Sequence, residues 1–223
     1  MACFPLFVQL EGCQCLVVGG GKVALRKCQT LSEFGANVLV AAKEACRELQ
    51  EFSSSHPSVT LLTRPAKVSD ADGMSLVICA SDDEALHKEI ADYCRDRRIL
   101  VNTADDRENC TFFFPAIVRQ EDVVIGISTG GNSPAASKYL RQLLQKEIPK
   151  YFGSLVKRLG SFRCTAKALL PLPSQREQLF TQLLEEGIAH KGELTSEFMK
   201  AKLDQALKQA EKPSNPHAPL ERV

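Results

Sequence analysis

The sequence predicts an α/β protein built on a parallel, doubly wound sheet and followed by a helical C-terminal part. Two observations predict this fold. Short apolar runs alternate with amphipathic segments as far as residue 101, at the spacing that is typical of βαβ units. Beyond residue 150 the pattern has a helical period, and it is broken at Pro171 and Pro173.

The elements of the sheet can be placed in chain order. Apolar runs predict strands at residues 14–18, 37–41, 58–62, 75–80 and 99–101. Amphipathic segments predict helices at residues 22–34, 43–53 and 82–97. Gly35 follows the first of these helices, at the position where a glycine commonly ends a helix.

The alternation changes after residue 106. Two strand-like runs at 111–118 and 122–128 flank a short connection at 119–121, which suits a hairpin. Helices are then expected at residues 133–146, 174–187 and 195–211. The tail at 213–223 contains prolines and few apolar residues, so we expect it to be disordered.

Composition excludes several classes of protein. The formal net charge is +1, so no overall field favours nucleic acid or an anionic membrane. The apolar runs are of strand length, which is too short to span a membrane, and the N-terminus lacks the pattern of a signal peptide. The nine cysteines are scattered and odd in number, which favours reduced thiols and a cytoplasmic location.

A glycine turn connects the first predicted strand to the first helix. Gly19, Gly21 and Ala24 match the G-x-G-x-x-G/A fingerprint of Rossmann dinucleotide sites. The first glycine permits the tight turn, the second admits the pyrophosphate, and the small third residue lets helix and strand pack closely. Lys22 and Val23 complete the helix N-terminus that would meet the phosphates. The alternative is a glycine-rich turn that binds nothing.

Ribose recognition is not settled by the spacing of residues. An acidic residue about 20 positions after the turn usually binds the ribose hydroxyls. Here the second strand ends in Ala41, Ala42 and Lys43, and Glu44 is the first acid. Backbone groups of residues 41–43 could bind the ribose, or Lys43 could favour a 2′-phosphate, so NAD and NADP both remain open.

Several further motifs occur in a fixed order. They are Phe4-Pro5-Leu6-Phe7, the run from Leu16 to Ala24, Ala80-Ser81-Asp82-Asp83, Val101-Asn102-Thr103-Ala104-Asp105, the run from Phe113 to Val118, and the run from Ile127 to Pro134. With these motifs the chain resembles the precorrin-2 dehydrogenase and sirohydrochlorin ferrochelatase family, which includes the N-terminal part of bacterial siroheme synthase. The resemblance covers about residues 4–150.

The resemblance implies a fold, an activity and partners. It implies an NAD-binding Rossmann domain at 1–112, a dimerisation and substrate segment at 113–150, and a helical domain at 151–212. It implies NAD-dependent oxidation of the tetrapyrrole precorrin-2 to sirohydrochlorin by a homodimer, with Ala80, Ser81 and Asp82 among the cofactor contacts. Some family members also insert Fe²⁺, so Fe²⁺ or Co²⁺ is a further candidate partner.

The family's catalytic aspartate corresponds to Asp105. This residue follows the fifth predicted strand, and open parallel sheets bind ligands at the carboxyl ends of their strands. A carboxylate there could act as a general base during the oxidation, or it could ligate an incoming metal ion. Alternatively, Asp105 and Asp106 only form a turn or cap a helix, and Asp106 is itself a rival for the catalytic role.

The segment before the helix at 133–146 is the candidate substrate loop. Its glycines and hydroxyls could hold substrate carboxylates, while Ser133 with Pro134 suits a helix start. Lys138 and Arg141 could meet further carboxylates. A helix start with a solvated basic face explains the same residues equally well. The candidate substrate-binding residues are Asn102, Ser128, Gly130, Gly131 and Ser133.

The remaining chemistry-bearing residues are sparse. His87 is expected at the surface of its helix, and no histidine-rich motif or C-x-x-C pair predicts a fixed metal site. Phe112–Phe114 are expected to be buried at a dimer interface or beneath the active site. Two alternatives to a simple dehydrogenase stay open: a bifunctional dehydrogenase and ferrochelatase, and a nucleotide-binding module without catalytic activity.

Overall fold

The computed structural model describes residues 3–104 and 106–210. The chain divides into an N-terminal unit that ends at Phe114 and a C-terminal unit that begins at Pro115. The expected disorder of residues 213–223 lies outside the described residues, and the finer division at residue 150 stays a prediction.

The N-terminal unit contains a five-stranded sheet in which all neighbouring strands are parallel. The strands are β1 (Gln14–Val18), β2 (Asn37–Ala42), β3 (Val59–Thr63), β4 (Leu76–Cys79) and β5 (Leu100–Thr103). Their spatial order is β3-β2-β1-β4-β5. The order reverses between β1 and β4, so a crevice for ligands is expected at the carboxyl ends of these two strands. The predicted doubly wound fold is confirmed.

Helices cover both faces of this sheet. The helices are α1 (Lys22–Glu33), α2 (Arg47–Ser55) and α3 (Glu84–Arg97), with a short 3-10 helix at Val68–Ala71. Cys15 and Val17 of β1 belong to the core cluster with α1 and α2, whereas Leu16 and Val18 belong to the cluster with α3. Because β1 is buried on both faces, its sequence is continuously apolar rather than alternating.

Two boundaries differ from the predictions for physical reasons. The second helix begins at Arg47 rather than residue 43, because residues 43–46 lie over the glycine turn, where the Cys46 amide donates to the Gly20 carbonyl at 2.8 Å. The fifth strand continues to Thr103, so Asn102 belongs to the strand. The first helix ends as predicted, with Gly35 at φ 80°.

The C-terminal unit begins with an antiparallel hairpin of β6 (Ala116–Gln120) and β7 (Val123–Ile127). The predicted strand at 111–118 was too long at its start. The amides of Thr111 and Phe112 bond the Val101 carbonyl at 2.8 and 3.4 Å, so they are held against β5 and do not pair in the hairpin. The turn lies at residues 121–122, with Glu121 at φ 50°.

Four helices follow the hairpin: α4 (Pro134–Glu147), α5 (Phe152–Leu169), α6 (Pro173–Ala189) and α7 (Ser196–Ala210). The last three share a core that includes Leu155, Leu179, Leu183 and Leu203, each almost completely buried. In contrast, α4 has no buried residue. Within the described ranges, no helix is long and apolar enough to cross a membrane.

The phenylalanine run is divided in its contacts. Phe112 and Phe114 are partly buried and pack against the core between the sheet and its first two helices. The Lys27 ammonium lies 3.7 Å from the centre of the Phe114 ring, and burial lowers the pKa of this lysine to about 8. These two rings are therefore partly buried within the N-terminal unit, and their predicted burial at a dimer interface or beneath the active site stays a prediction.

Candidate active site

The glycine turn lies between the carboxyl end of β1 and the start of α1, at the switch point of the sheet. Gly19 has φ 119°, a conformation that strains any other residue. A Cβ atom at this position would lie 2.6 Å from the carbonyl carbon of Ala80 and 2.9 Å from the amide nitrogen of Ser81. Only glycine therefore fits between β1 and the turn after β4.

The next two glycines face different surroundings. A Cβ atom on Gly20 would overlap the segment after β2, at 2.8 Å from the Ala45 Cα atom. A Cβ atom on Gly21 would have no neighbour within 4 Å. The space beside Gly21 is therefore open, and a ligand could approach the protein backbone closely there. Ala24 is fully buried against the sheet, which matches the packing role predicted for it.

The N-terminus of α1 is suited to an anion. Gly21 is the N-cap residue and supplies no side chain, and the first turn of the helix contains no acidic residue. Lys22 is exposed, and Val23 is 44% exposed although it is apolar. Free amides and the positive end of the helix dipole therefore face an accessible surface beside Gly21.

The end of β2 lies against the same turn. The Gly19 amide donates to the Ala41 carbonyl at 3.0 Å, which places residues 41–43 beside the glycines. Ala41 and Ala42 are buried, whereas Lys43 is exposed. A cation therefore stands at the strand end where dinucleotide sites usually have an acid, as the sequence indicated.

The turn after β4 completes this side of the crevice. The Ala80 amide donates to the Val18 carbonyl at 2.7 Å, and Ser81 and Asp82 follow. The Oδ1 atom of Asp83 accepts the Leu86 amide at 3.0 Å and caps α3. The predicted contacts after β1, β2 and β4 thus lie at one end of the sheet.

His87 was wrongly predicted to be a surface residue. It is only 4% exposed, and its Nε2 atom lies 2.7 Å from the Oγ atom of Ser81. Burial lowers its pKa, against the opposing effect of nearby carboxylates. The helical period alone did not reveal this contact, because it depends on how α3 meets the turn after β4.

The candidate catalytic residue Asp105 lies outside the described residues, but its neighbours are described. The carboxylate of Asp106 accepts the amides of Glu108 and Asn109 at 3.1 and 3.3 Å, and the side-chain amide of Asn109 at 2.5 Å. The Asn109 side chain and these amides hold the pKa of Asp106 below its ordinary value. Asp106 is therefore engaged as a turn-forming carboxylate.

Cys110 holds the two sides of the Asp105 segment together, a role that the sequence did not reveal. Its Sγ atom accepts the Thr103 amide at 3.2 Å and contacts the Asp106 carbonyl at 3.0 Å. The side-chain amide of Asn102 donates to the Phe112 carbonyl at 3.1 Å and lies 3.5 Å from the same sulfur. Burial raises the pKa of Cys110, so it is a thiol at neutral pH.

The candidate substrate loop lies in the C-terminal unit. The Oγ atom of Ser133 accepts the Ala136 amide at 3.1 Å, so this residue caps α4 as predicted, with Pro134 in the first turn. The Ser128 hydroxyl accepts the Gly130 amide at 3.1 Å. Gly130 and Gly131 have φ values of 61° and 76°. These bonds explain the conformation of the loop, and its binding of carboxylates stays a prediction.

The Nη1 atom of Arg141 donates a hydrogen bond to Gln145 on the same helix at 3.2 Å.

Across residues 3–104 and 106–210, no group of three or more His, Cys, Asp or Glu side chains is arranged to hold a metal ion.

The sheet order and the glycine turn define a Rossmann-type dinucleotide-binding protein. Residues 6–116 match the family described as "Putative NAD(P)-binding", which does not distinguish the two nicotinamide dinucleotides. The chain is 35% identical over 209 residues to siroheme synthase of Thioalkalivibrio sulfidiphilus, covering 94% of this chain and 41% of that protein. It is 38% identical over 189 residues to siroheme synthase of Psychrobacter cryohalolentis, covering 85% and 36% of the two chains.

The chain spans about two fifths of the length of these curated relatives. Among solved structures, "SirC, precorrin-2 dehydrogenase" has a TM-score of 0.71 at 22% identity, covering 92% of this chain and 100% of that one. This likeness shows that the fold is shared. In sequence, the chain is related to siroheme synthase over 94% of its own length, in agreement with the family that its motifs resemble.

Proposed function

We propose that this chain is an NAD-dependent dehydrogenase that oxidises precorrin-2 to sirohydrochlorin. The observation that carries the proposal is the open glycine turn at the switch point of the sheet, in a chain that aligns with siroheme synthase over 94% of its length. The reaction removes one hydride and one proton from the macrocycle. The chain must therefore bind a hydride acceptor, bind the tetrapyrrole and accept a proton.

The residues of the crevice fit a nicotinamide dinucleotide. The open space at Gly21 and the uncapped amides of α1 would hold the pyrophosphate. The strand ends at residues 41–43 and 80–82 would contact the two nucleoside halves. When bound, the nicotinamide takes up the hydride. We propose NAD as the cofactor, and Lys43 makes NADP the alternative to test beside it.

Asp105 is the proposed proton acceptor. The carboxylate of Asp106, the rival candidate, already accepts three hydrogen bonds within its turn. Asp105 is the residue that corresponds to the family's catalytic aspartate. A general base contributes about 10²–10⁴-fold to a rate.

A macrocycle with several carboxylates also needs hydrogen-bond donors in the protein. For that role we propose the loop residues Ser128, Gly130, Gly131 and Ser133, together with Asn102.

The test is anaerobic turnover of precorrin-2 with NAD⁺ or NADP⁺, followed as reduced cofactor. We expect turnover with NAD⁺, and we expect Asp105→Asn to reduce it about 10²–10⁴-fold. The matched control is Glu108→Gln, which also replaces a carboxylate by an amide, in an exposed residue of the same loop. Wild-type activity in Asp105→Asn would remove this residue from the mechanism. Cofactor binding without tetrapyrrole turnover would favour a nucleotide-binding module.

A second candidate function is metal insertion into sirohydrochlorin. The sequence likeness to siroheme synthase favours this function, because siroheme is an iron tetrapyrrole. Asp105 would be the candidate ligand for Fe²⁺ or Co²⁺. Metal insertion measured with sirohydrochlorin and no dinucleotide separates this activity from the dehydrogenase reaction.

We also propose that the chain forms a homodimer through α4. This helix of 14 residues has no buried residue, and Tyr139, Leu140 and Leu143 are 63%, 38% and 40% exposed. A helix with an apolar face normally buries that face against another element.

All nine cysteines are free thiols, which supports a reducing compartment such as the cytoplasm.

A further inference from the structure

A buried histidine lies next to the glycine turn. His87 is in the first turn of α3 and is 4% exposed, and its Nε2 atom lies 2.7 Å from the hydroxyl of Ser81. Histidine is seldom buried without a reason, because its polar ring must find partners away from water. The partner here is Ser81, the second residue after the carboxyl end of β4.

Ser81 is in turn in contact with the first glycine of the turn. Its amide nitrogen is 2.9 Å from the point where a Cβ atom of Gly19 would stand, and the Ala80 carbonyl is closer still. The neighbouring Ala80 amide is bonded to the Val18 carbonyl at 2.7 Å. A displacement of Ser81 would therefore alter the wall against which the glycine turn is packed.

The charges around the ring come from two segments. Asp82, Asp83 and Glu84 belong to the start of α3, and Asp106 belongs to the loop after β5. All four are acids that attract a proton to His87, yet burial outweighs them and keeps the ring neutral at pH 7. A neutral ring has one donor and one acceptor nitrogen, and the serine hydroxyl can pair with either.

We propose that His87 is a positioning residue of the dinucleotide site, which holds Ser81 against the glycine turn through the hydrogen bond between Nε2 and Oγ. The bond fixes the turn at residues 80–82 and, through it, the wall of the cofactor crevice. His87 acts through Ser81 and not by contact with the cofactor. The inference rests on the dinucleotide-binding part of the proposed function and needs neither precorrin-2 nor turnover.

The experiment measures the dissociation constant of the full chain for NAD⁺ by titration calorimetry. His87→Ala and Ser81→Ala should each weaken binding about five- to tenfold, since one buried hydrogen bond contributes about 1 kcal/mol. The double variant should bind no more weakly than either single one, because both substitutions remove the same bond. His87→Gln should bind within about threefold of wild type, because the Gln amide nitrogen can replace Nε2.

Lys88→Ala is the matched control, since Lys88 is the exposed next residue of α3, and it should bind as wild type does. If His87→Ala does not fold, Ser81→Ala and His87→Gln still report on the bond. Wild-type affinity in folded His87→Ala, or additive losses in the double variant, would overturn the inference. Failure of the wild type to bind any nicotinamide dinucleotide would overturn both this inference and the proposed function.

Discussion

At the scale of residues, the three successive glycines are glycine for different reasons. Gly19 has a positive φ and is packed against the turn after β4, and Gly20 is crowded by the segment after β2. Gly21 has neither constraint, since its φ is −85° and the space beside it is open. Packing explains the first two glycines, whereas the third has open space beside it, which agrees with the predicted approach of a pyrophosphate.

This difference predicts opposite effects of two substitutions. Gly19→Ala should lower the free energy of unfolding by about 1–3 kcal/mol or more, because of backbone strain and overlap. Gly21→Val should change it by about 1 kcal/mol or less but weaken NAD⁺ binding at least about tenfold. Urea unfolding and calorimetry measure the two quantities separately. Unaltered NAD⁺ affinity in Gly21→Val would show that the pyrophosphate does not approach this residue.

The burial of His87 predicts a pH dependence of stability. Its pKa is lowered in the folded chain, so the unfolded chain binds a proton first as the pH falls below about 6.5. The free energy of unfolding should therefore decrease from about pH 6.5 downward, until the folded chain is protonated too. His87→Gln should remove this component while leaving the rest of the profile. Identical profiles for the two proteins between pH 7 and pH 5 would contradict it.

At the scale of elements, the sequence predicted most of the fold because its signals there are local. The apolar runs of β1 and β2, the glycine that ends α1 and the cap of α4 at Ser133 depend on a few neighbouring residues. The predicted cofactor contacts are brought to one edge by the parallel topology, since the carboxyl ends of such strands share an edge.

The errors arose where distant residues decide the outcome. The bond between Cys46 and Gly20 delays the start of α2, and the bonds of Thr111 to Val101 withdraw residues from the hairpin. The contact between His87 and Ser81 depends on the packing of α3. None of these pairings leaves a periodic pattern in the sequence, so periodicity could not predict them.

The exposed apolar face of α4 predicts an effect on assembly. Leu140→Glu with Leu143→Glu places two charges on that face, where burial against a second copy would leave them without water. We expect a dimer for the wild type and a monomer for the variant by sedimentation equilibrium. Arg141→Glu, on the same helix, is the control for added charge. A dimer that withstands the two glutamates would move the interface away from this helix.

At the scale of the whole molecule, two units are joined in one chain. The N-terminal unit carries the dinucleotide crevice, and the C-terminal unit carries the hairpin, the candidate substrate loop and three helices with their own core. Both belong to the stretch that aligns with siroheme synthase, since 94% of this chain is covered. The predicted cofactor contacts belong to the N-terminal unit, and the candidate substrate loop belongs to the C-terminal unit.

The most direct test of the account is the stoichiometry of a single anaerobic reaction, in which NADH fluorescence and sirohydrochlorin absorbance are recorded together. The wild type should form one NADH for each sirohydrochlorin. Gly21→Val should form both products markedly more slowly than the wild type at a cofactor concentration near the wild-type dissociation constant. Sirohydrochlorin that accumulates without NADH, or at an unchanged rate in Gly21→Val, would contradict oxidation by a dinucleotide bound at this glycine turn.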